Sequence, residues 1–148
     1  MDRGKRVKTH LDRMGENVSW GIKRDATDAV FSEVVRWRDE WTCKRCHEQI
    51  LPPTSRIQCA HIFSRGKKST RWDLENAFTL CVGCHIKLDQ EPDEKYDLYI
   101  SLYGQEQFEK LRTRSKIPKR ILPHEKTLIR LGLKEELKKY LNNILGHK

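Results

Sequence analysis

Apolar residues recur at helical spacing through Val30, Phe31, Val34, Val35, Trp37 and Trp41, while Glu33, Arg36, Asp39 and Glu40 fall on the opposite side. This pattern predicts an amphipathic helix capped by Thr27. Between 43 and 90 the helical period gives way to short cysteine-bearing turns, a Pro52-Pro53 break, a strand-like run from Arg56 to Ile62, and a basic loop from Phe63 to Arg71. A loop of that length is usually functional. Ala77 to Leu80 reads as a second short strand, and Val82 to Gln90 as a helix that must stop before Pro92. Pro92 then opens a helix through Tyr96, Tyr99, Ile100 and Tyr103 that Gly104 can end, and a further helix surrounds Phe108 and Leu111. Leu133, Leu137, Tyr140, Leu141, Ile144 and Leu145 predict a last amphipathic helix closing at Gly146. The expected class is α+β, a small β-hairpin followed by a helix and surrounded by further helices.

Composition narrows the partners. The chain has 148 residues with 30 Lys+Arg against 21 Asp+Glu, a formal charge of +9 that favours a polyanion. No stretch approaches the roughly 18 uninterrupted apolar residues of a membrane helix, and the N-terminal residues lack the apolar run of a signal peptide. The expectation is a cytoplasmic chain with no membrane association. Residues 1 to 24 hold seven Lys/Arg and three acids with few apolar positions, and read as a basic arm. Residues 25–115 would form the main domain, and 116–148 a basic linker with the C-terminal helix.

Four of the five cysteines form two matched pairs, Cys43-x-x-Cys46 and Cys81-x-x-Cys84. Each two-residue spacer lets a tight turn present both sulfurs to one ion, so the four thiolates predict a tetrahedral structural zinc with no open position for substrate. Cys59 stands apart and reads as a small buried hydrophobe. The same segments, Cys43-Lys-Arg-Cys-His47 and Cys81-Val-Gly-Cys-His85, also spell the c-type haem attachment sequence. Against haem stand the missing export signal and the presence of only Met1 and Met14 as methionine axial ligands.

Cys59-Ala60-His61-Ile62, Asn76, and Leu80-Cys81-Val-Gly-Cys84-His85 together resemble the HNH, or ββα-metal, nuclease superfamily. The spacings agree: fifteen residues from 61 to 76, five from 76 to 81 and nine from 76 to 85. Within that superfamily, Ser64-Arg65-Gly66 and Arg71-Trp72-Asp73-Leu74-Glu75-Asn76, followed by a tyrosine-rich helix and the Tyr103-Gly104 turn, are most similar to the phage recombination NinG (Rap) group. The resemblance implies a metal-dependent DNA endonuclease with a ββα core and a four-cysteine zinc knuckle. It implies His61 as general base, Asn76 as the residue that holds that base or touches the metal, and His85 as ligand to a catalytic Mg2+ or Mn2+. An imidazole near neutrality suits activation of water, and a divalent ion offsets charge on the phosphate. The sequence departs from the family at Ala60, where many members carry an Asp or His ligand. Asp89 lies four residues after His85 on one helix face, and is either a further ligand or a solvated acid.

Arg65, Lys67, Lys68 and Arg71 lie between His61 and Asn76, in a stretch with no acid from 61 to 72, and are expected to grip phosphate backbone. Further runs at 1 to 24 and 110 to 130 flank the motif, the latter with eight Lys/Arg and one acid. Trp72 reads as a plug for the loop, or as a platform for an unpaired base. His47 reads as a surface residue of the knuckle, while His10, His124 and His147 carry no signal. The expected partner is DNA held mainly by its backbone, branched or partly single-stranded, with recombination proteins as further partners and no small-molecule substrate. The competing expectations are a catalytically silent zinc module that only binds DNA, which Ala60 keeps open, and a sequence-specific homing or restriction-type nuclease.

Overall fold

A computed structural model of the chain describes residues 23–145. Among these residues the protein is α+β, with five α-helices and one two-stranded sheet. Most of the expected 1–24 arm lies outside the described residues.

Helix α1 spans Ala26–Arg38 and is capped by Asp25, not by the expected Thr27. The Asp25 carboxylate accepts the Thr27 and Asp28 N–H groups at 2.9 and 3.1 Å, and Asp28 accepts the Asp25 N–H at 2.8 Å. That reciprocal pair satisfies several orphan donors of the first turn at once. The helix ends before Trp41 because Glu40 and Trp41 both take φ of 55°. Trp41 nonetheless returns to the core, edge-on to Trp37.

Strands β1, Ile57–His61, and β2, Ala77–Cys81, pair antiparallel from Ile57 opposite Cys81 to His61 opposite Ala77. The long connection between them includes a 3-10 turn at Leu74–Asn76. Helix α2, Val82–Gln90, follows β2 without a break and has Cys81 as its cap. Helices α3, Pro92–Tyr103, and α4, Gln105–Ser115, are separated only by Gly104, whose φ of 93° suits a residue without Cβ. Helix α5 covers Pro123–Leu145.

Side-chain alternation gives the sheet two buried faces. Ala60, Phe78 and Leu80 meet Leu88, Tyr99, Phe108 and Leu111 of α2 to α4. On the opposite face Cys59 and Ala77 meet Phe31, Val34 and Val35 of α1, with Leu133 of α5 completing that cluster. Helix α5 is therefore part of the core and begins ten residues earlier than the apolar repeat from Leu133 indicates, because Pro123 occupies its first position, where a missing N–H costs nothing. Its far end carries less of the expected apolar face, and Ile144 is exposed. Leu133 is only 6% exposed, so Leu133→Ala should lower unfolding free energy by about 2–4 kcal/mol in denaturant titration. Leu131→Ala, at a position 51% exposed, should change it by less than about 0.5 kcal/mol; equal effects would contradict the docking of α5.

Candidate functional site

The two cysteine pairs converge from separate elements. Cys43 and Cys46 lie on a turn closed by the Cys43 N–H on the Glu48 carbonyl and the His47 N–H on the Cys43 carbonyl, at 2.8 and 2.9 Å. His47 tolerates φ of 66° at the tip of this turn and is exposed. The Lys44 N–H donates to the Thr79 carbonyl at 2.9 Å, hanging the turn on the free edge of β2. The four ligand sulfurs all lie within 4.8 Å of one another. The Cys46 and Cys81 sulfurs are 3.7 Å apart, the edge expected of a tetrahedron with Zn–S bonds of about 2.3 Å. The cluster could hold a zinc ion, and four sulfurs gathered round one point leave no separate pair for each of two haems. Burial raises the Cys43 thiol, but the N–H groups of Cys46, Cys81 and Arg45 aimed at its sulfur bring it down to about 7. Arg45 donates to the Cys84 sulfur at 3.4 Å, placing positive charge beside the cluster. Cys59 lies outside the group, and burial pushes its thiol up to about 12.

At the other end of the hairpin, Asn76 is fully buried and spends its amide on the loop. Its Oδ1 accepts the Phe63 N–H at 2.9 Å, and its Nδ2 donates to the Phe63 and Thr70 carbonyls at 2.9 and 3.0 Å. From the last position of a connection of fifteen residues, Asn76 thereby pins the start and the middle of that connection.

His61 closes β1 with its ring stacked on Phe31 of α1, centroids 5.3 Å apart. Its Nε2 lies 3.1 Å from the Arg71 carbonyl. A carbonyl only accepts, so Nε2 carries the proton and Nδ1 keeps the lone pair. Burial depresses the imidazole from 6.5 to about 4, aided by the charge of Arg65 and opposed by the bond to Arg71, so the ring is neutral at physiological pH but a weaker base than the near-neutral imidazole that the sequence leads one to expect.

His85 sits in the first turn of α2, above the opposite face of the sheet. Its Nδ1 is 2.8 Å from Gln58 Oε1, while the Gln58 amide nitrogen donates to the Ser55 carbonyl at 3.3 Å. The two contacts orient the amide, so His85 Nδ1 donates and Nε2 is left with its lone pair. Asp89 Oδ2 lies 3.3 Å from that nitrogen. Adjacent ligands of an octahedral ion with bonds of about 2.1 Å are about 3 Å apart, so the pair is spaced to share a divalent cation. An acceptor behind a histidine ligand is the usual way such a ring is oriented. Burial lowers the His85 pKa, with Asp89 opposing and Lys95 assisting the shift. Asp89 Oδ1 in turn accepts from Lys95 Nζ at 2.7 Å. Gln58 and Lys95 are the two residues that sequence reasoning missed, since neither belongs to a spacing pattern.

The basic loop divides. Lys67 and Lys68 are exposed and Arg65 is half-buried. Arg71 was expected among them, but it is 9% exposed and turned inward. Its Nε donates to Asp28 at 3.0 Å and its guanidinium also reaches the Lys23 carbonyl, so it is committed to α1 rather than to a phosphate. Trp72 shares the same carboxylate through its indole N–H at 2.9 Å and underlies the Arg71 guanidinium, which occupies its face.

Comparison with protein-family models, curated proteins and solved structures yields no match.

The folded-state pKa of His61 lies below its value in an unfolded chain, so between pH 6.5 and about 4 the unfolded chain binds the additional proton. The stability gained from a neutral ring is complete above 6.5 and is lost as pH falls to about 4. In an NMR titration the His61 ring signals should hold their neutral positions from pH 8 down to about 5.5; a midpoint near 6.5 would contradict the burial argument.

Proposed function

We propose that this chain is a divalent-metal-dependent endonuclease of the ββα-metal (HNH) type that hydrolyses DNA phosphodiester bonds. One observation carries the reading: in a hairpin followed by a helix, His61 and His85 each have one ring nitrogen fixed by an acceptor, leaving His61 Nδ1 and His85 Nε2 with lone pairs and Asp89 Oδ2 3.3 Å from the latter. The residues fit a catalytic Mg2+ or Mn2+ held by His85 and Asp89, with water completing the shell. Such an ion, when bound, polarises the scissile phosphate and offsets charge on the leaving oxygen.

The remaining work falls to the chain. His61 Nδ1 removes a proton from the attacking water, and the bond from Nε2–H to the Arg71 carbonyl steadies the resulting imidazolium. Asn76 holds the loop that supplies that carbonyl. Lys67 and Lys68 face the duplex backbone, and Arg65 is the loop guanidinium closest in role to a phosphate clamp. The four cysteines, filled by zinc, fix the junction of β2 and α2 on which His85 stands. Exposed cations at Lys116, Lys119 and Arg120 extend the basic surface beyond the core. Gripping backbone without a base-reading element suits branched or partly single-stranded DNA, which is the substrate that the NinG resemblance suggests, in phage recombination within a bacterial cytoplasm. No described helix is long and apolar enough to cross a membrane.

The second reading, a zinc module that binds DNA without cutting it, is favoured by Ala60, which is buried and offers no ligand. Supercoiled plasmid separates the two. Zinc-loaded protein with Mg2+ or Mn2+ should yield nicked or linear product, and His61→Ala should slow cleavage by about a hundredfold or more at unchanged DNA affinity. Retention of DNA without cleavage by the parent chain would establish the silent module instead.

A further inference from the structure

Lys95, in the first turn of α3, is a charged residue buried at the candidate site. Its side chain is 10% exposed, against 54% for its partner Asp89. Buried lysines are rare unless paired, and this one has two acceptors, Asp89 Oδ1 at 2.7 Å and the main-chain carbonyl of His61 at 3.3 Å. It thus connects the candidate base and the candidate ion ligands, which lie on opposite faces of the hairpin. Ala60, immediately before that carbonyl, contributes no charge.

The consequence is electrostatic. His85 contributes a neutral donor and Asp89 one negative charge, which the Lys95 ammonium already balances. A divalent ion at His85 and Asp89 would have an ammonium as a close neighbour, and two cations a few ångströms apart repel, the more so because the Lys95 side chain is itself shielded from water. A phosphodiester brings the missing negative charge. We propose that Lys95 makes divalent-ion binding at His85 and Asp89 conditional on DNA, so that ion and phosphodiester enter the site cooperatively. This deepens and rests on the nuclease reading above. The coupling is reciprocal, so the ion strengthens DNA binding by the same factor.

The test measures Mn2+ binding by electron paramagnetic resonance on the full, zinc-loaded chain, in a His61→Ala background that prevents cleavage. Added His85→Ala subtracts ions held by DNA alone. Without DNA, Lys95→Met should bind Mn2+ about tenfold more tightly than the lysine-containing chain, about 1.4 kcal/mol. A short duplex should then tighten Mn2+ binding by about tenfold when Lys95 is present and by far less when it is methionine. Equal affinities for the two chains without DNA would overturn the proposal. So would the absence of any gain from DNA with Lys95 present, an arm that needs no substitution of the lysine. If the parent chain nicks plasmid while these ion affinities coincide, the Lys95 proposal alone fails. If no His85-dependent Mn2+ is found in any arm and no plasmid is nicked, the nuclease reading fails with it.

Discussion

Two strands of five residues each are too little sheet to hold themselves together in water, and the rest of this fold answers that constraint. Both faces of the pair are covered, one by α1 with α5 behind it and the other by α2 to α4. The two ends are fastened differently. At the Cys81 end the four sulfurs gather within 4.8 Å, a spacing that a zinc ion would close. At the His61 end a buried amide, Asn76, pins the long connection by three hydrogen bonds. Each fastening lies beside a candidate functional residue: Cys81 opens the helix that carries His85, and Asn76 orders the loop whose Arg71 carbonyl fixes His61.

The polar interior around the site follows from the same economy. Asp28 accepts the N–H of the α1 cap residue Asp25, pairs with Arg71 and accepts the Trp72 indole, so one carboxylate joins the first helix to the loop 43 residues later. Breaking such a buried pair by removing one partner leaves an uncompensated charge, which typically costs about 3–5 kcal/mol. Arg38 plays a related part, donating to the Leu74 and Ala77 carbonyls at 2.6 and 2.8 Å while Asp39 accepts the Thr79 N–H at 2.9 Å. Edge groups of β2 that would otherwise be unpaired are thereby satisfied.

What was legible in the sequence was local. The cysteine spacings foretold a four-sulfur cluster, Pro92 and Gly104 bounded α3, and the apolar period located α1 and most of α5. The features that were not legible depend on distant partners. Nothing near Arg71 marks it as different from Lys67 or Lys68, because the reason it turns inward is Asp28, far away in the chain. Gln58 and Lys95 sit in no motif, and only the pairing of β1 with β2 and the packing of α3 bring them to His85, Asp89 and His61. The start of α5 at Pro123 was hidden because its first turns carry too few apolar residues to display a period.

The proposed function requires two distinct metal centres at the hairpin and α2, a four-sulfur structural one that the Cys43–Cys46 turn completes and a separate hydrolytic one at His85 and Asp89. Anomalous X-ray diffraction from crystals of zinc-loaded protein soaked in Mn2+ tests it directly. The account predicts a zinc peak equidistant from Cys43, Cys46, Cys81 and Cys84, and a manganese peak within bonding distance of His85 Nε2 and Asp89 Oδ2 when DNA is present. A crystal with DNA in which manganese is absent from His85, or in which zinc occupies fewer than the four sulfurs, would contradict it.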